Sequence, residues 1–151
     1  DRRFGFSDGV MGGNLWFLGE TEDAAIDAAE RGAAAVNDCP GAIMTFPGGV
    51  AASASKAGSK YSFLIASTYA EYCPTLRDSP DVETRLPENV HSVMEIVING
   101  SSLQAISDAT QAAINASAET PGLVKITAGN YGGRLGKSFV WLKPELHQDA
   151  E

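Results

Sequence analysis

The chain has 151 residues, of which 44% are hydrophobic, and its formal net charge at pH 7 is −8. A chain of this size forms one domain, or one lobe of a larger protein, with a sizeable core. The acidic balance argues against nucleic acid or an anionic membrane as a partner, and no apolar run is long enough to span a bilayer.

The first part of the chain is predicted to form a strand, a helix and a second strand. Leu, Trp and Phe predict the first strand at about 14–18. Thr21 is the predicted N-cap of the helix, and Pro40-Gly41 ends it before a strand at 42–46. The apolar residues that recur at helical spacing are Ala25, Ala29, Ala33 and Val36.

Residues 46–75 concentrate small residues, hydroxyl groups and two lysines. Glycines allow a close backbone approach, serines offer hydrogen bonds, and lysines add positive charge to an acidic chain. This composition favours an anionic or carbonyl-bearing ligand; the alternative is a polar surface loop with a short strand in it. The candidate substrate-binding residues are Gly48, Gly49, Ser53, Ser55, Lys56, Gly58, Ser59 and Lys60. Residues 77–89, which combine prolines and mixed charge, are predicted to form an exposed loop within a long functional insertion at about 47–90.

The second part of the chain repeats the first. A strand is predicted at 93–98, a helix capped by Ser101 or Ser102, and a return strand at 123–127 after Pro121-Gly122. The predicted buried stripe of this helix is Leu103, Ile106, Ala109 and Ala113. Residues 138–142 are predicted to form a further strand, followed by a polar tail from 144.

A shift of 81 residues aligns the two parts, because Thr21 then falls on Ser102 and Pro40-Gly41 on Pro121-Gly122. Two strand-helix-strand units predict an α+β fold, the ferredoxin-like split βαβ duplication, as a single lobe over residues 1–151. The helices are expected on one face of an antiparallel sheet. The other face must then meet water, another lobe or another subunit.

Glu95 is a single carboxylate in an otherwise apolar strand. Such a side chain either faces solvent or is held in its protonated form by burial. Burial would make a protonated carboxyl group available near neutral pH. A surface glutamate on a half-exposed strand is the commoner outcome for this residue type.

The two cysteines, Cys39 and Cys73, lack metal-ligand spacing, and only His91 and His147 could assist them. We therefore expect no metal site, reduced thiols and a cytoplasmic location.

Several stretches of the chain resemble the formylmethanofuran–tetrahydromethanopterin formyltransferase family. They are Phe46-Pro47-Gly48-Gly49, Ala52-Ser53-Ala54-Ser55-Lys56, Gly58-Ser59-Lys60, Tyr72-Cys73-Pro74-Thr75 and Glu95-Ile96-Val97-Ile98-Asn99-Gly100. The similarity runs from about Phe4 to Trp141 and corresponds to the C-terminal lobe of a protein about twice as long. The N-terminal lobe of the family is therefore expected to be absent from this chain.

The resemblance implies formyl transfer between the amine of methanofuran and N5 of tetrahydromethanopterin, both as substrates, with no metal and no covalently bound cofactor. Glu95 falls on the carboxylate implicated in catalysis in that family, and Lys56 and Lys60 are expected to hold anionic groups of the cofactor tails. Met94 stands where the family commonly has an aromatic residue, which leaves tail selectivity open. The implied partners are a second lobe, further copies of the chain in a homo-oligomer, and, in methylotrophic bacteria, a formyltransferase/hydrolase complex.

Two other functions stay open at this point. A lone lobe could bind a ligand or an assembly partner without turnover, because ferredoxin-like domains host many functions. A nucleotide-phosphate module is the second alternative, since residues 132–138 approach a P-loop sequence. That segment is one residue short between its glycines and precedes strand-like residues, whereas a P-loop precedes a helix.

Overall fold

The computed structural model describes residues 2–52, 69–129 and 137–143. Its strands are β1 (Val10–Gly19), β2 (Ala42–Met44), β3 (Val50–Ala52), β4 (Ser92–Gly100) and β5 (Leu123–Thr127). Its helices are α1 (Glu22–Asn37) and α2 (Leu103–Ser117), and two short 3-10 helices lie at Ala70–Tyr72 and Pro74–Leu76.

The strands form one antiparallel sheet in the order β2-β4-β1-β5, with β3 also paired to β4. This order confirms the predicted α+β fold with a split βαβ duplication. β2 pairs with the last residues of β4 and β3 with residues 94–96, so the two short strands share one edge. The edge strand predicted at 42–46 ends at Met44, because a turn with positive φ at Gly48 and Gly49 follows.

The two helices begin in the same way. The Oγ1 of Thr21 accepts a hydrogen bond from the Ala24 amide, and the Oγ of Ser102 accepts one from the Ala105 amide, both at 3.1 Å. Ser102, not Ser101, is therefore the cap of α2. Each cap satisfies one of the amide groups that a helix start leaves without an intrahelical partner.

The main core lies between the helices and the sheet, where Leu15 and Phe17 of β1 are fully buried. The predicted helix faces are confirmed for Ala25, Ala29, Ala33, Val36, Ile106, Ala109 and Ala113, all of which are buried. The prediction was wrong for Leu103, which is 40% exposed. It is the first residue of α2, and helix side chains lean toward the N-terminus, so its side chain extends past the end of the core.

The other face of the sheet is partly covered by the chain itself. Trp16 and Leu18 of β1 and Val93 of β4 pack there against Leu86 and Val90. The expectation that this face meets only water, another lobe or another subunit was thus incomplete. The prediction of an exposed loop at 77–89 was also wrong in part, because Leu86 is only 6% exposed.

The strand predicted at 138–142 is absent from the structure of residues 137–143. The side-chain amide of Gln111 on α2 donates hydrogen bonds to the carbonyls of Trp141 and Leu142, at 3.2 and 3.3 Å. These carbonyls contact a helix side chain, so the segment lies along α2 instead of extending the sheet. The tail predicted from residue 144 lies outside the described residues. In the part of the chain that is described, no helix has the length and apolarity needed to cross a membrane.

Candidate functional site

Glu95 lies in the middle of β4, opposite Trp16 of β1 on one side and Ala51 of β3 on the other. Its neighbours in sequence, Met94 and Ile96, belong to the core under the helices. Because successive side chains of a strand point to opposite faces, Glu95 lies on the face away from the helices. Glu95 is half-buried, so its environment lies between the solvent-exposed and the buried position that the sequence left open.

Asn14 holds one oxygen of this carboxyl group. Its Nδ2 donates a hydrogen bond to Glu95 Oε1 at 3.1 Å, and its Oδ1 accepts one from the Gly129 amide at 3.2 Å. Asn14 therefore connects β1, β4 and the chain that follows β5. Asn14 was not predicted as a site residue, although the 81-residue repeat places it at the position that matches Glu95.

An aromatic cluster stands beside Glu95. The Trp16 ring, only 3% exposed, lies 5.3 Å from the ring of Tyr69 and 5.6 Å from that of Tyr72, measured between centroids. A Cβ at Gly129 would lie 2.8 Å from Trp16 Cζ2, so a glycine lets the backbone pass close to the indole. A carboxyl group with one fixed oxygen next to aromatic surface suits proton transfer to a bound, partly apolar ligand.

Two of the eight predicted binding residues lie in the described part of the chain. Gly48 and Gly49 have φ values of 72° and 83° in the turn between β2 and β3. A Cβ at Gly49 would meet Met44 of β2 at 2.7 Å and Ala33 of α1 at 3.1 Å, so this packing and the positive φ account for that glycine. Gly48 is exposed, with open space around it. The others, Ser53, Ser55, Lys56, Gly58, Ser59 and Lys60, fall outside the described residues.

The described residues hold no group of three or more His, Cys, Asp or Glu side chains that could bind a metal ion. A groove of about 460 Å³ lies between α2 and β5, and Leu142 and Lys143 also line it. Neither Glu95 nor Asn14 lines it, so the groove is separate from the carboxyl site.

Comparison with known proteins places these features in one family. The profile described as "FTR, proximal lobe" matches residues 1–144. The chain is 48% identical over 140 residues to a formylmethanofuran–tetrahydromethanopterin formyltransferase from Methanopyrus kandleri, which covers 92% of the chain and 46% of the relative. The enzyme of the same name from Archaeoglobus fulgidus is 47% identical over 137 residues, covering 90% of the chain and 46% of the relative.

Two solved structures share the fold. The formylmethanofuran:tetrahydromethanopterin formyltransferase of Methanosarcina barkeri superimposes with a TM-score of 0.77 at 43% identity, over 86% of this chain and 44% of that one. The formyltransferase/hydrolase complex of Methylorubrum extorquens, solved with methylofuran, gives a TM-score of 0.80 at 40% identity, over 93% and 46%. The chain spans just under half the length of these relatives. It belongs to the FTR family and corresponds to the proximal lobe of its members.

Proposed function

We propose that this chain is the catalytic lobe of an enzyme that transfers a formyl group between formylmethanofuran and N5 of tetrahydromethanopterin. The relatives named for that reaction are 41–48% identical to the chain. One of the structural neighbours was solved in complex with methylofuran. Both coenzymes are substrates in this proposal, and no bound cofactor or metal takes part.

The placement of Glu95 carries the proposal. A half-buried carboxyl group, fixed by Asn14 and set beside an aromatic cluster, lies on the sheet face away from the helices. General acid–base catalysis needs such a group within hydrogen-bond reach of the exchanging nitrogen atoms.

The chemistry requires two proton transfers. The attacking amine adds to the formyl carbon and forms a tetrahedral intermediate with an oxyanion. The attacking nitrogen then loses a proton, and the departing nitrogen gains one as its bond to carbon breaks. Glu95 can accept the first proton and deliver the second, so the carboxyl group ends the cycle unchanged. In its protonated form it can also donate a hydrogen bond to the oxyanion.

The rest of the active enzyme lies beyond this lobe. Because the chain spans about 46% of its relatives, we propose that a second lobe completes the cofactor site. The residues Ser53, Ser55, Lys56, Gly58, Ser59 and Lys60, with Gly48, would bind the substrate tails. Assembly into a homo-oligomer, or into a formyltransferase/hydrolase complex like that of Methylorubrum extorquens, belongs to the same proposal.

A cytoplasmic location is part of the proposal. Cys39 and Cys73 are not joined by a disulfide in the described structure, and a reducing compartment would keep their thiols in that state.

The test is a formyl-transfer assay on a protein that carries both lobes. Glu95→Gln keeps the size and shape of the side chain but cannot exchange a proton. We expect turnover to fall by about 10²–10⁴, the usual contribution of general acid–base catalysis, with cofactor affinity kept. The matched control is Glu119→Gln, which changes an exposed glutamate after the end of α2.

Near-normal turnover in Glu95→Gln would remove the catalytic role and leave a surface glutamate. A two-lobe protein that binds both coenzymes and transfers no formyl group would favour the alternative of a non-catalytic ligand-binding lobe.

A further inference from the structure

The orientation of the Asn14 amide is fixed by a partner that can only donate. Gly129 presents a backbone N–H to the side chain of Asn14, at 3.2 Å between Gly129 N and Asn14 Oδ1. A backbone N–H has no acceptor capacity, so the oxygen of the side-chain amide must face it. The other end of the amide, the NH₂ group, then faces Glu95.

This orientation has a consequence for Glu95. The Asn14 NH₂ group is only a donor, so Glu95 Oε1, at 3.1 Å, must be an acceptor. The hydroxyl oxygen of a carboxylic acid is a poorer acceptor than its carbonyl oxygen, so a proton on Oε1 would weaken the contact with Asn14. When Glu95 takes up a proton, the proton therefore belongs on Oε2.

We propose that Asn14 is a positioning residue that reserves Oε1 of Glu95 as an acceptor and so directs the exchangeable proton to Oε2. The proposal deepens the proposed function and rests on it for its consequence in turnover. This arrangement would favour proton transfer through its geometry. A single protonation site on a fixed carboxyl group presents the proton in one direction, toward the bound nitrogen.

No charged side chain among the described residues flanks Glu95 in the sheet. Trp16 lies opposite it on β1, Ala51 lies opposite it on β3, and Asn14 is neutral. The titratable groups on this face include the phenols of Tyr69 and Tyr72, which pack beside Trp16, and Lys125 of β5, which lies opposite Leu18. Asn14 is thus the polar neighbour through which the protonation of Glu95 can be altered without removing a charge.

Asn14→Asp is the decisive variant. The new carboxylate can still accept from the Gly129 amide, but its second oxygen now faces Glu95 Oε1, and the two carboxyl groups must share a proton. In the two-lobe enzyme we expect kcat to fall about 10²-fold, because the proton on Glu95 is misplaced. KM should change little, because the substrate still binds in the same position. The pH–rate profile should move to higher pH.

The matched control is Asn99→Asp. Asn99 lies on β4, four residues after Glu95 on the same face, and its Oδ1 accepts the Gly12 amide at 3.0 Å. The control makes the same chemical change at a similar backbone contact but away from Glu95. We expect its kcat and pH profile to stay those of the wild type. A similar loss in both variants would show a general effect of added charge and would overturn the positioning role.

A second measurement separates this proposal from the proposed function. Carbon-13 NMR of labelled glutamate in the two-lobe protein follows the titration of Glu95 without any turnover. Asn14→Asp should move the midpoint upward, and Asn99→Asp should not. If formyl transfer is absent while this difference is present, the function fails and the positioning role stands.

If Asn14→Asp does not fold, Asn14→Ser serves instead. A serine side chain is too short to reach both Gly129 and Glu95, so the loss of kcat should persist without the upward move of the midpoint. Wild-type kcat and an unchanged titration in a folded Asn14 variant would overturn the proposal.

Discussion

Leu15 and Ile96 face each other across β1 and β4, and they are also matching residues of the 81-residue repeat. A residue can pair with its own repeat copy only where a pseudo-two-fold axis passes between the two strands. The axis therefore crosses the centre of the sheet at this pair. Asn14 and Glu95, one residue before each, are the diagonal neighbours that the axis relates, and they are joined by a hydrogen bond.

The repeat also explains why certain positions are glycine in both copies. Gly41 and Gly122 follow the two helices with φ values of 78° and 76°, which favour glycine. Gly19 and Gly100 end the two central strands. A Cβ at Gly19 would lie 2.6 Å from the Ala25 backbone nitrogen, and one at Gly100 would lie 2.7 Å from Ile106 Cγ1. Each copy thus uses a glycine to let the following helix turn close over its strand.

The helix caps should contribute equally in the two copies. Thr21→Ala and Ser102→Ala each remove the acceptor of one helix-start amide, so each should lower the free energy of unfolding by about 1 kcal/mol. Chemical denaturation measures both. Ser101→Ala is the control, because Ser101 precedes the cap, and it should change stability by less than about 0.5 kcal/mol. A larger loss for Ser101→Ala than for Ser102→Ala would contradict the cap assignment.

Gly32 in the middle of α1 should resist replacement by alanine. A Cβ there would lie 2.9 Å from Phe17 Cζ and 3.0 Å from Ser117 Oγ, the hydroxyl that donates to the Ala28 carbonyl. Alanine improves helix propensity by about 1 kcal/mol, but overpacking costs about 1–3 kcal/mol. We expect a net loss of stability on thermal unfolding.

Ala34→Gly on the exposed side of α1 is the companion variant for Gly32→Ala. It should cost about 1 kcal/mol through propensity alone. A Gly32→Ala protein more stable than the wild type would show that propensity outweighs the contact between α1, α2 and β1.

The split βαβ duplication and most of both helix faces could be predicted because local signals agreed with the tertiary structure. Caps, Pro-Gly stops and alanines at helical spacing recurred at the same interval, so each copy supported the other. Leu103 was misplaced because periodicity does not say where the core ends along a helix. Residues 138–142 were misread because a short apolar run can pack on a helix as readily as in a sheet.

Part of the site could be reached from the sequence and part could not. Glu95 was identifiable as one carboxylate in an apolar strand. The contact between Glu95 and Asn14 depends on the register of β1 and β4, and the contact between Asn14 and Gly129 depends on the path of the chain after β5. Neither can be predicted from local composition. Leu86 lies in a segment held by Arg77, whose guanidinium donates to the carbonyls of Pro87, Glu88 and Val90. A charged loop therefore folded back where its composition indicated exposure.

Arg77 should hold the cover of the aromatic cluster in place. Arg77→Met would remove the charged donor from three backbone carbonyls, of which Pro87 keeps a hydrogen bond from the Val90 amide. A hydrogen bond from a charged group contributes about 1.5–3 kcal/mol. We expect faster amide hydrogen exchange at residues 86–90 and a red shift of Trp16 fluorescence as Leu86 and Val90 loosen.

The fluorescence measurement for Arg77→Met uses a Trp141→Phe background, since the chain has two tryptophans. Arg85→Met is the control, because that arginine is exposed on the same segment. Equal exchange rates in the two variants would mean that the Arg77 contacts do not hold the segment.

Lys56 and Lys60 are predicted to hold anionic cofactor tails, and the prediction can be tested through salt. Replacing both by methionine takes the net charge from −8 to −10 and keeps much of the apolar stem. If each lysine forms a charge-assisted hydrogen bond to a tail, cofactor affinity in the two-lobe protein should fall about tenfold or more at low ionic strength. The wild-type affinity should then approach that of the variant as salt is added, because exposed charges are screened.

The control is the double replacement of Lys125 and Lys143, two exposed lysines of the described structure. It makes the same change in net charge at sequence positions outside 56–60 and should leave cofactor affinity unchanged. Equal losses in the two double variants would assign the effect to overall charge, and an unchanged affinity at low salt in the Lys56/Lys60 variant would rule out the tail contact.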